Sequence, residues 1–167
     1  MLRDELNREL IELIPRLRRF ARVLTRNMSD ADDVVQATLE KVMHNIDQWQ
    51  DGTRFDRWAF AIARNLWIDD RRSARNKNQH IDASELAEIE GDDGRLVTEN
   101  RSRDQMVKAA VDSLPEEQRV LVGLVILEGF SYREAADMLD IPIGTVMSRI
   151  SRAKIALAER LKTVGAH

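Results

Sequence analysis

From residue 6 onward the apolar positions recur every three or four residues, at Leu6, Leu10, Leu13, Leu17, Phe20 and Leu24. This is the period of a helix with one buried stripe. Pro15 falls inside the stripe, so the pattern predicts two helices or a kink, with Pro15 in a first turn where its missing N–H costs little. Ser29-Asp30-Ala31-Asp32 reads as the next helix start, with Ser29 as cap and acids at the positive helix end. That helix is expected to bury Val35, Leu39, Val42, Ile46 and Trp49, and Gly52 interrupts the chain after it. A further helix comes next, with Phe55, Trp58, Ile62 and Leu66 on its inner side, ending in the basic run Arg71-Arg72-Ser73-Ala74-Arg75.

The pattern then fades. Residues 77–99 collect Asn, Asp and Glu with two glycines, Gly91 and Gly94, and hold no sustained apolar stripe. They read as an acidic flexible linker between two small helical domains, residues 1–76 and 100–167. Whether the linker is only a solvated tether or an acidic mimic of nucleic acid is left open by the residues.

From about Asn100 the helical period resumes with Met106, Val107, Ala110, Val111 and Leu114. Pro115 opens a helix expected to bury Val120, Leu121, Leu124 and Leu127, closed by Gly129. Ser131-Tyr132-Arg133-Glu134 is a capping box, in which Ser131 and Glu134 satisfy each other's helix-end donors. The short helix behind it would bury Ala135, Ala136, Met138 and Leu139. A tight turn, Asp140-Ile141-Pro142-Ile143-Gly144, leads into a last helix from Thr145 to Leu161. Small residues on a short helix, a turn and a second helix with polar and basic residues early on make a helix-turn-helix. Val146, Ile150, Ala153, Leu157 and Leu161 would hold the second helix to the core. Thr145, Ser148, Arg149, Ser151 and Arg152 would then lie toward base edges and phosphates.

Composition narrows the class without naming it. Apolar residues make up 43% and charged residues 33%, with seven Gly and three Pro, which is globular and favours helices. The longest apolar stretch, Val120 to Leu127, falls far short of the roughly 20 residues that span a bilayer. An amphipathic start with Asp4 and Glu5 does not read as a signal peptide. Lack of Cys excludes disulfides and thiolate metal sites and suits a reducing cytoplasm. The net charge of −3 is unevenly spread, since residues 77–104 carry −4 and residues 144–162 carry +4. A local basic stripe steers DNA more than the total does, although the total predicts weak unaided affinity.

Gly144-Thr145-Val146-Met147-Ser148-Arg149-Ile150-Ser151-Arg152-Ala153 resembles the region-four signature of bacterial sigma-70 family sigma factors of the extracytoplasmic-function (ECF) group, and Leu114-Pro115-Glu116-Glu117-Gln118-Arg119 resembles the start of that module. Asp30-Ala31-Asp32-Asp33-Val34-Val35-Gln36 is similar to the region-two helix that docks on RNA polymerase. Phe55 through Trp58, then Ile62-Ala63-Arg64-Asn65 and Ile68-Asp69, resembles the helix that melts and reads the upstream promoter element. The likeness covers roughly residues 8–76 and 105–162, both halves in the right order.

The resemblance implies a transcription initiation factor that binds core RNA polymerase and directs it to a two-part promoter. Asp33 and Gln36 would contact the largest polymerase subunit. Arg64, Asn65, Arg71 and Arg72 would face minus-ten DNA, an Asn reading a base edge while Arg holds phosphate. The loop Gln50 to Arg54 is the candidate cradle for a flipped base; Trp49 and Trp58 read either as core residues or as stacking platforms. Thr145, Met147, Ser148, Arg149, Ser151 and Arg152 would meet the minus-thirty-five element. The chain departs from many relatives in having Ala37 in place of an acid, and Met147 and Ser151 where basic or aromatic residues are common. An anti-sigma factor partner, a cytoplasmic location without membrane insertion and a monomeric free state are implied by the same likeness.

No catalytic site and no cofactor are expected. Asp32/Asp33, Asp69/Asp70 and Asp92/Asp93 are adjacent pairs, and neighbours in sequence do not share a helix face. His44, His80 and His167 lack ligand spacing, and no Gly-rich phosphate loop occurs. Two other functions fit a basic helix-turn-helix: a dimeric regulator that acts without polymerase, and an adaptor that sequesters another protein. Association with core polymerase separates the first reading from both.

Overall fold

The computed structural model describes residues 2–78 and 99–165. Among these residues there are seven α-helices, a 3₁₀ turn, a π-helical segment and no strand. The chain divides into two compact units, Met1–Leu86 and Ala87–His167. The acidic linker expected at 77–99 lies almost wholly outside the described residues.

The first unit is three long helices packed on one another, α1 (Leu2–Thr25), α2 (Met28–His44) and α3 (Phe55–Asn78). All six residues of the first apolar stripe are buried, with Ala21 beside them. Of the two expectations, the break into two helices does not occur: α1 continues through Pro15. Pro15 is exposed, and seven buried positions spread along the helix offset the bond that a proline forfeits.

The junction after α1 begins earlier than predicted. Arg26 adopts a left-handed φ of 61°, and its N–H donates to the Arg22 carbonyl at 2.8 Å. The cap of α2 is Asn27, not Ser29: its Oδ1 accepts from the Ser29 N–H at 2.8 Å and the Asp30 N–H at 3.2 Å. Asn and Ser serve equally well as caps, so composition alone could not choose between them. Thr38 is fully buried, and its hydroxyl donates to the Val34 carbonyl at 2.7 Å, so no polar group is stranded. Ile46 is buried in the 3₁₀ turn Ile46–Gln48 rather than in α2.

The inner face of α3 is rotated from the expected one. Phe55, Ala59, Phe60, Ala63 and Trp67 are buried, while Trp58, Ile62 and Leu66 are half-exposed. Small Ala59 and Ala63 let the backbone of α3 approach α1 and α2, with Phe60 filling the centre against Phe20 at 5.2 Å between ring centroids.

In the second unit α7 (Ile143–Gly165) packs against α4 (Glu99–Asp112), α5 (Glu116–Leu121) and α6 (Tyr132–Leu139). Arg119 is 3% exposed, and its Nη1 donates to the Leu114 carbonyl at 3.0 Å, bracing the turn that opens α5. Pro115 is the N-cap itself rather than the first helical residue.

After α5 the chain widens into a π-helical segment, Val122–Leu127. The Glu128 N–H donates five residues back, to Gly123. One residue more per turn rotates the side chains beyond it: Val122 and Leu124 are buried and Leu127, expected in the core, is 40% exposed. Gly129 then turns the chain with φ 75°, and the predicted capping box forms, with Glu134 N–H to Ser131 Oγ at 3.0 Å and Ser131 N–H to Glu134 Oε1 at 3.1 Å. Ala135 and Ala136 are buried in α6, while Met138 and Leu139 are half-exposed. Asp140, left-handed at φ 54°, ends α6. The helix-turn-helix turn is shorter than expected, because α7 already starts at Ile143. Val146, Ile150 and Ala153 are buried, Leu157 is half-buried, and Leu161 is 39% exposed, so the far end of α7 leaves the core.

Candidate nucleic-acid interface

On α7 the buried residues Val146, Ile150 and Ala153 set the inner side. At about 100° per residue, Ser148, Ser151 and Arg152 fall on the outer side, and all three are exposed. Thr145 is half-buried at the start of the helix, and Met147 is 52% exposed beside Ser151. The Ser148 hydroxyl donates to the Gly144 carbonyl at 2.9 Å. Arg149 lies on the flank next to α5, where its Nη2 sits 3.3 Å from Glu117 Oε2. Lys154 and Ile155, the latter 59% exposed, extend the outer surface; Ile155 is not among the expected DNA-facing residues, because an apolar side chain invites assignment to the core.

On α3, Asn65 and Arg72 are seven residues apart and share the side opposite Phe60 and Ala63; Asn65 is exposed and Arg72 with it. Arg64 and Arg71, also seven apart, flank the buried side and are half-buried. Arg64 Nη1 donates to Asn65 Oδ1 at 3.2 Å, and the Arg71 guanidinium stacks 5.0 Å from the Trp67 ring centroid. Burial, and then the charge of Arg72, lowers the Arg64 guanidinium from its usual value. Burial, followed by the charges of Arg75 and Arg26, does the same to Arg71. Guanidiniums this basic remain charged at neutral pH. The structure thus collects a block of positive charge that includes Arg26, from the end of α1, which sequence spacing could not join to α3.

On α2, Asp33 and Gln36 point away from the buried Val34, Val35, Thr38 and Val42, and both are exposed. Glu40 and Met43, the latter 55% exposed, continue the same outer surface. Asp32 lies to one side, 3.5 Å from Arg18 Nε.

Between α2 and α3 the chain turns at Gly52, φ 93°, with the Thr53 hydroxyl on the Gln50 carbonyl at 2.8 Å. Trp49 meets Phe55 edge-on at 5.8 Å between centroids, and Phe55 meets Trp58 at 5.8 Å. Both tryptophans are half-buried in this aromatic cluster. Arg54 folds back on Asp56, Nη2 to Oδ2 at 2.8 Å and Nε to Oδ1 at 3.2 Å. A cavity of about 510 Å³ opens beside this turn, lined by Glu9, Glu12, Arg16, Trp49, Arg54 and Asp56 among others. Asp56 and Asn65, nine residues apart, lie about half a turn apart around α3, so the cavity borders a different side of the helix from Asn65 and Arg72.

Among the described residues no cluster of three or more His, Asp or Glu is placed to hold a metal ion, and no helix is long and apolar enough to cross a membrane.

Family models for sigma-70 region 2 and sigma-70 region 4 match residues 10–77 and 104–157. The chain is 36% identical over 165 residues to the ECF RNA polymerase sigma factor EcfG of Rhodopseudomonas palustris, covering 99% of this chain and 90% of that one. It is 32% identical over 144 residues to the ECF RNA polymerase sigma-E factor of Escherichia coli K12, covering 80% of this chain and 74% of that one. Its fold is similar to the sigma factor RpoE of Bartonella quintana, solved in complex with the anti-sigma factor NepR, with TM-score 0.80, 33% identity and coverage of 95% of this chain and 97% of that one. CnrH, solved with the cytosolic domain of CnrY, shares the fold at TM-score 0.69 and 23% identity, over 95% of this chain and 88% of that one. The chain belongs to the ECF RNA polymerase sigma factors. Its family is one of transcription initiation factors that associate with RNA polymerase and bind promoter DNA.

Proposed function

We propose that residues 1–76 dock on core RNA polymerase and open and read the minus-ten element, that 77–99 are the linker, and that residues 100–167 grip the minus-thirty-five element. The observation that carries this reading is the pairing of buried Val146, Ile150 and Ala153 with exposed Ser148, Ser151 and Arg152 on one helix, which turns a polar, basic face toward DNA. Asp33 and Gln36 contact the polymerase. Arg64, Asn65, Arg71 and Arg72 engage minus-ten DNA, Asn65 toward a base edge and Arg72 toward phosphate, and the exposed turn from Gln50 to Arg54 receives a flipped base. Thr145, Met147, Ser148, Arg149, Ser151 and Arg152 meet the distal element.

The reading extends to regulation: an anti-sigma factor sequesters the chain, as the 33% identity to a sigma factor solved with NepR supports. The free chain is a cytoplasmic monomer without catalytic activity, cofactor or membrane insertion. With a net charge of −3, it binds promoter duplex poorly until core enzyme is added. Gel-shift at physiological salt, with and without core polymerase, tests this. Tight, sequence-specific binding by the isolated chain would instead favour a self-sufficient dimeric regulator.

A further inference from the structure

Among the α7 residues assigned to DNA, Arg149 is the one that an acid of a neighbouring helix engages. Its side chain is 27% exposed, and its Nη2 lies 3.3 Å from Oε2 of Glu117 in the first turn of α5. The Glu117 side chain is 68% exposed, so the acid is on the more solvent-exposed side of the contact. Ser148 and Arg152, on the outer face of α7 next to Arg149, are both exposed. A negative charge therefore sits beside the surface that meets DNA.

The strength of this contact decides what it can do. Exposed ion pairs contribute little, so Arg149 can leave Glu117 for a better acceptor. The O6/N7 edge of guanine offers two parallel acceptors, whereas other base edges do not match a guanidinium as well. A carboxylate already occupying Arg149 sets the threshold that a DNA acceptor must exceed, and it also repels phosphate. We propose that Glu117 is a specificity-determining residue: it withholds Arg149 from weak acceptors and releases it to a strong one. This rests on the reading of α7 as the helix that meets the distal promoter element.

The test uses the full chain bound to core polymerase and a panel of single-base variants of the distal element at two salt concentrations. Wild type, Glu117→Gln, Arg149→Ala and the double variant are compared. Glu117→Gln is expected to tighten binding to every promoter, and most to those that offer Arg149 the strong acceptor, because only there does wild type give up the Glu117 pair on binding. Discrimination at the position Arg149 reads should rise, by up to about fivefold, the size of an exposed ion pair. The salt dependence on disfavoured promoters should steepen by about one unit of slope as Arg149 becomes free for phosphate. Both effects should vanish in the Arg149→Ala background.

A merely structural clamp between α5 and α7 would behave differently. Glu117→Gln would then lower the melting temperature and leave discrimination and salt slope unchanged, which overturns the proposal. If Arg149→Ala weakens binding while Glu117→Gln has no effect on selectivity, the proposal falls and the reading of α7 stands. If no variant alters binding to any promoter, both fall.

Discussion

Phe20 and Phe60, forty residues apart, meet with ring centroids 5.2 Å apart and planes tilted by 56°, and neither has any exposed surface. Arg16, one turn before Phe20, lies 5.2 Å from the Phe60 centroid and 3.4 Å from Asp56, one turn before Phe60. Successive turns of α1 thus meet successive turns of α3, and the two helices run parallel. The outward faces of both helices are set by that register, including the side on which Asn65 and Arg72 stand.

Phe60→Ala should therefore destabilise the first unit by about 3–5 kcal/mol, the usual cost of emptying a phenylalanine site in a core. The chain's three tryptophans, Trp49, Trp58 and Trp67, all lie in that unit. Urea titration followed by tryptophan fluorescence should show the loss, while helical circular dichroism from the second unit persists to higher urea. A fluorescence midpoint equal to wild type would mean that the aromatic pair does not set the packing.

Asp33→Ala combined with Gln36→Ala should weaken association with core polymerase by about tenfold or more, the scale of a truncated interface anchor. Both side chains are exposed, so the circular dichroism spectrum and melting temperature should not change. Retained affinity for core enzyme would remove the α2 face from the docking assignment.

Arg152→Ala should cost about 1–3 kcal/mol and relax preference at one promoter position if this side chain reads a base. If it holds only phosphate, the loss should be uniform across promoter variants and the salt slope should fall by about one unit. Transcription from single-base variants of the distal element at two salt concentrations distinguishes the two. An unaffected variant would exclude Arg152 from the contact.

The carboxylates at the cavity give the first unit a pH dependence of defined sign. Burial raises the Asp56 carboxyl, but hydrogen bonds from Arg54 and the Arg57 N–H, with the charges of Arg54 and Arg16, outweigh it and leave Asp56 below its usual value. A carboxyl lowered in the fold contributes stability above its unfolded pKa, about 3.9, and loses it as pH falls through the folded value. Asp56→Asn should be less stable than wild type at neutral pH, with the gap closing below about pH 4. Glu9 has the opposite sign, raised by burial and then by Asp56 and Glu12. Glu9→Gln should be more stable than wild type at neutral pH, with the advantage fading as pH falls through the raised value. Urea midpoints by fluorescence between pH 7 and pH 3 check both; parallel curves would contradict the assignment.

Much of this fold is legible in the sequence because one-sided apolar periodicity needs only local information. The stripe from Leu6 to Leu24 is such a case, as is the Ser131/Glu134 capping box, whose partners lie three residues apart. Where a helix is apolar on more than one side, the period no longer chooses. In α3 the large Trp58, Ile62 and Leu66 outweigh Ala59 and Ala63 on any hydrophobicity count, yet close packing selects the alanines. Leu127 escapes its expected place because regular α-helical pitch does not hold where the ladder widens. The outward positions of Asp33, Gln36 and Arg152 are readable from periodicity alone. The pairing of Arg149 with Glu117 and the approach of Arg26 to Arg71 depend on how helices cross, which spacing within one helix does not encode.

The widened turn at Val122–Leu127 ties chain length to packing in the second unit. It holds one residue more than a regular helical ladder would need between α5 and the turn at Gly129. Losing a single residue here would return the segment to α-helical pitch and rotate Leu127 relative to the buried Val122 and Leu124. The five-residue backbone bond at Gly123 and Glu128 thus makes the length of this stretch, and not only its composition, a determinant of which side chains reach the core of the second unit.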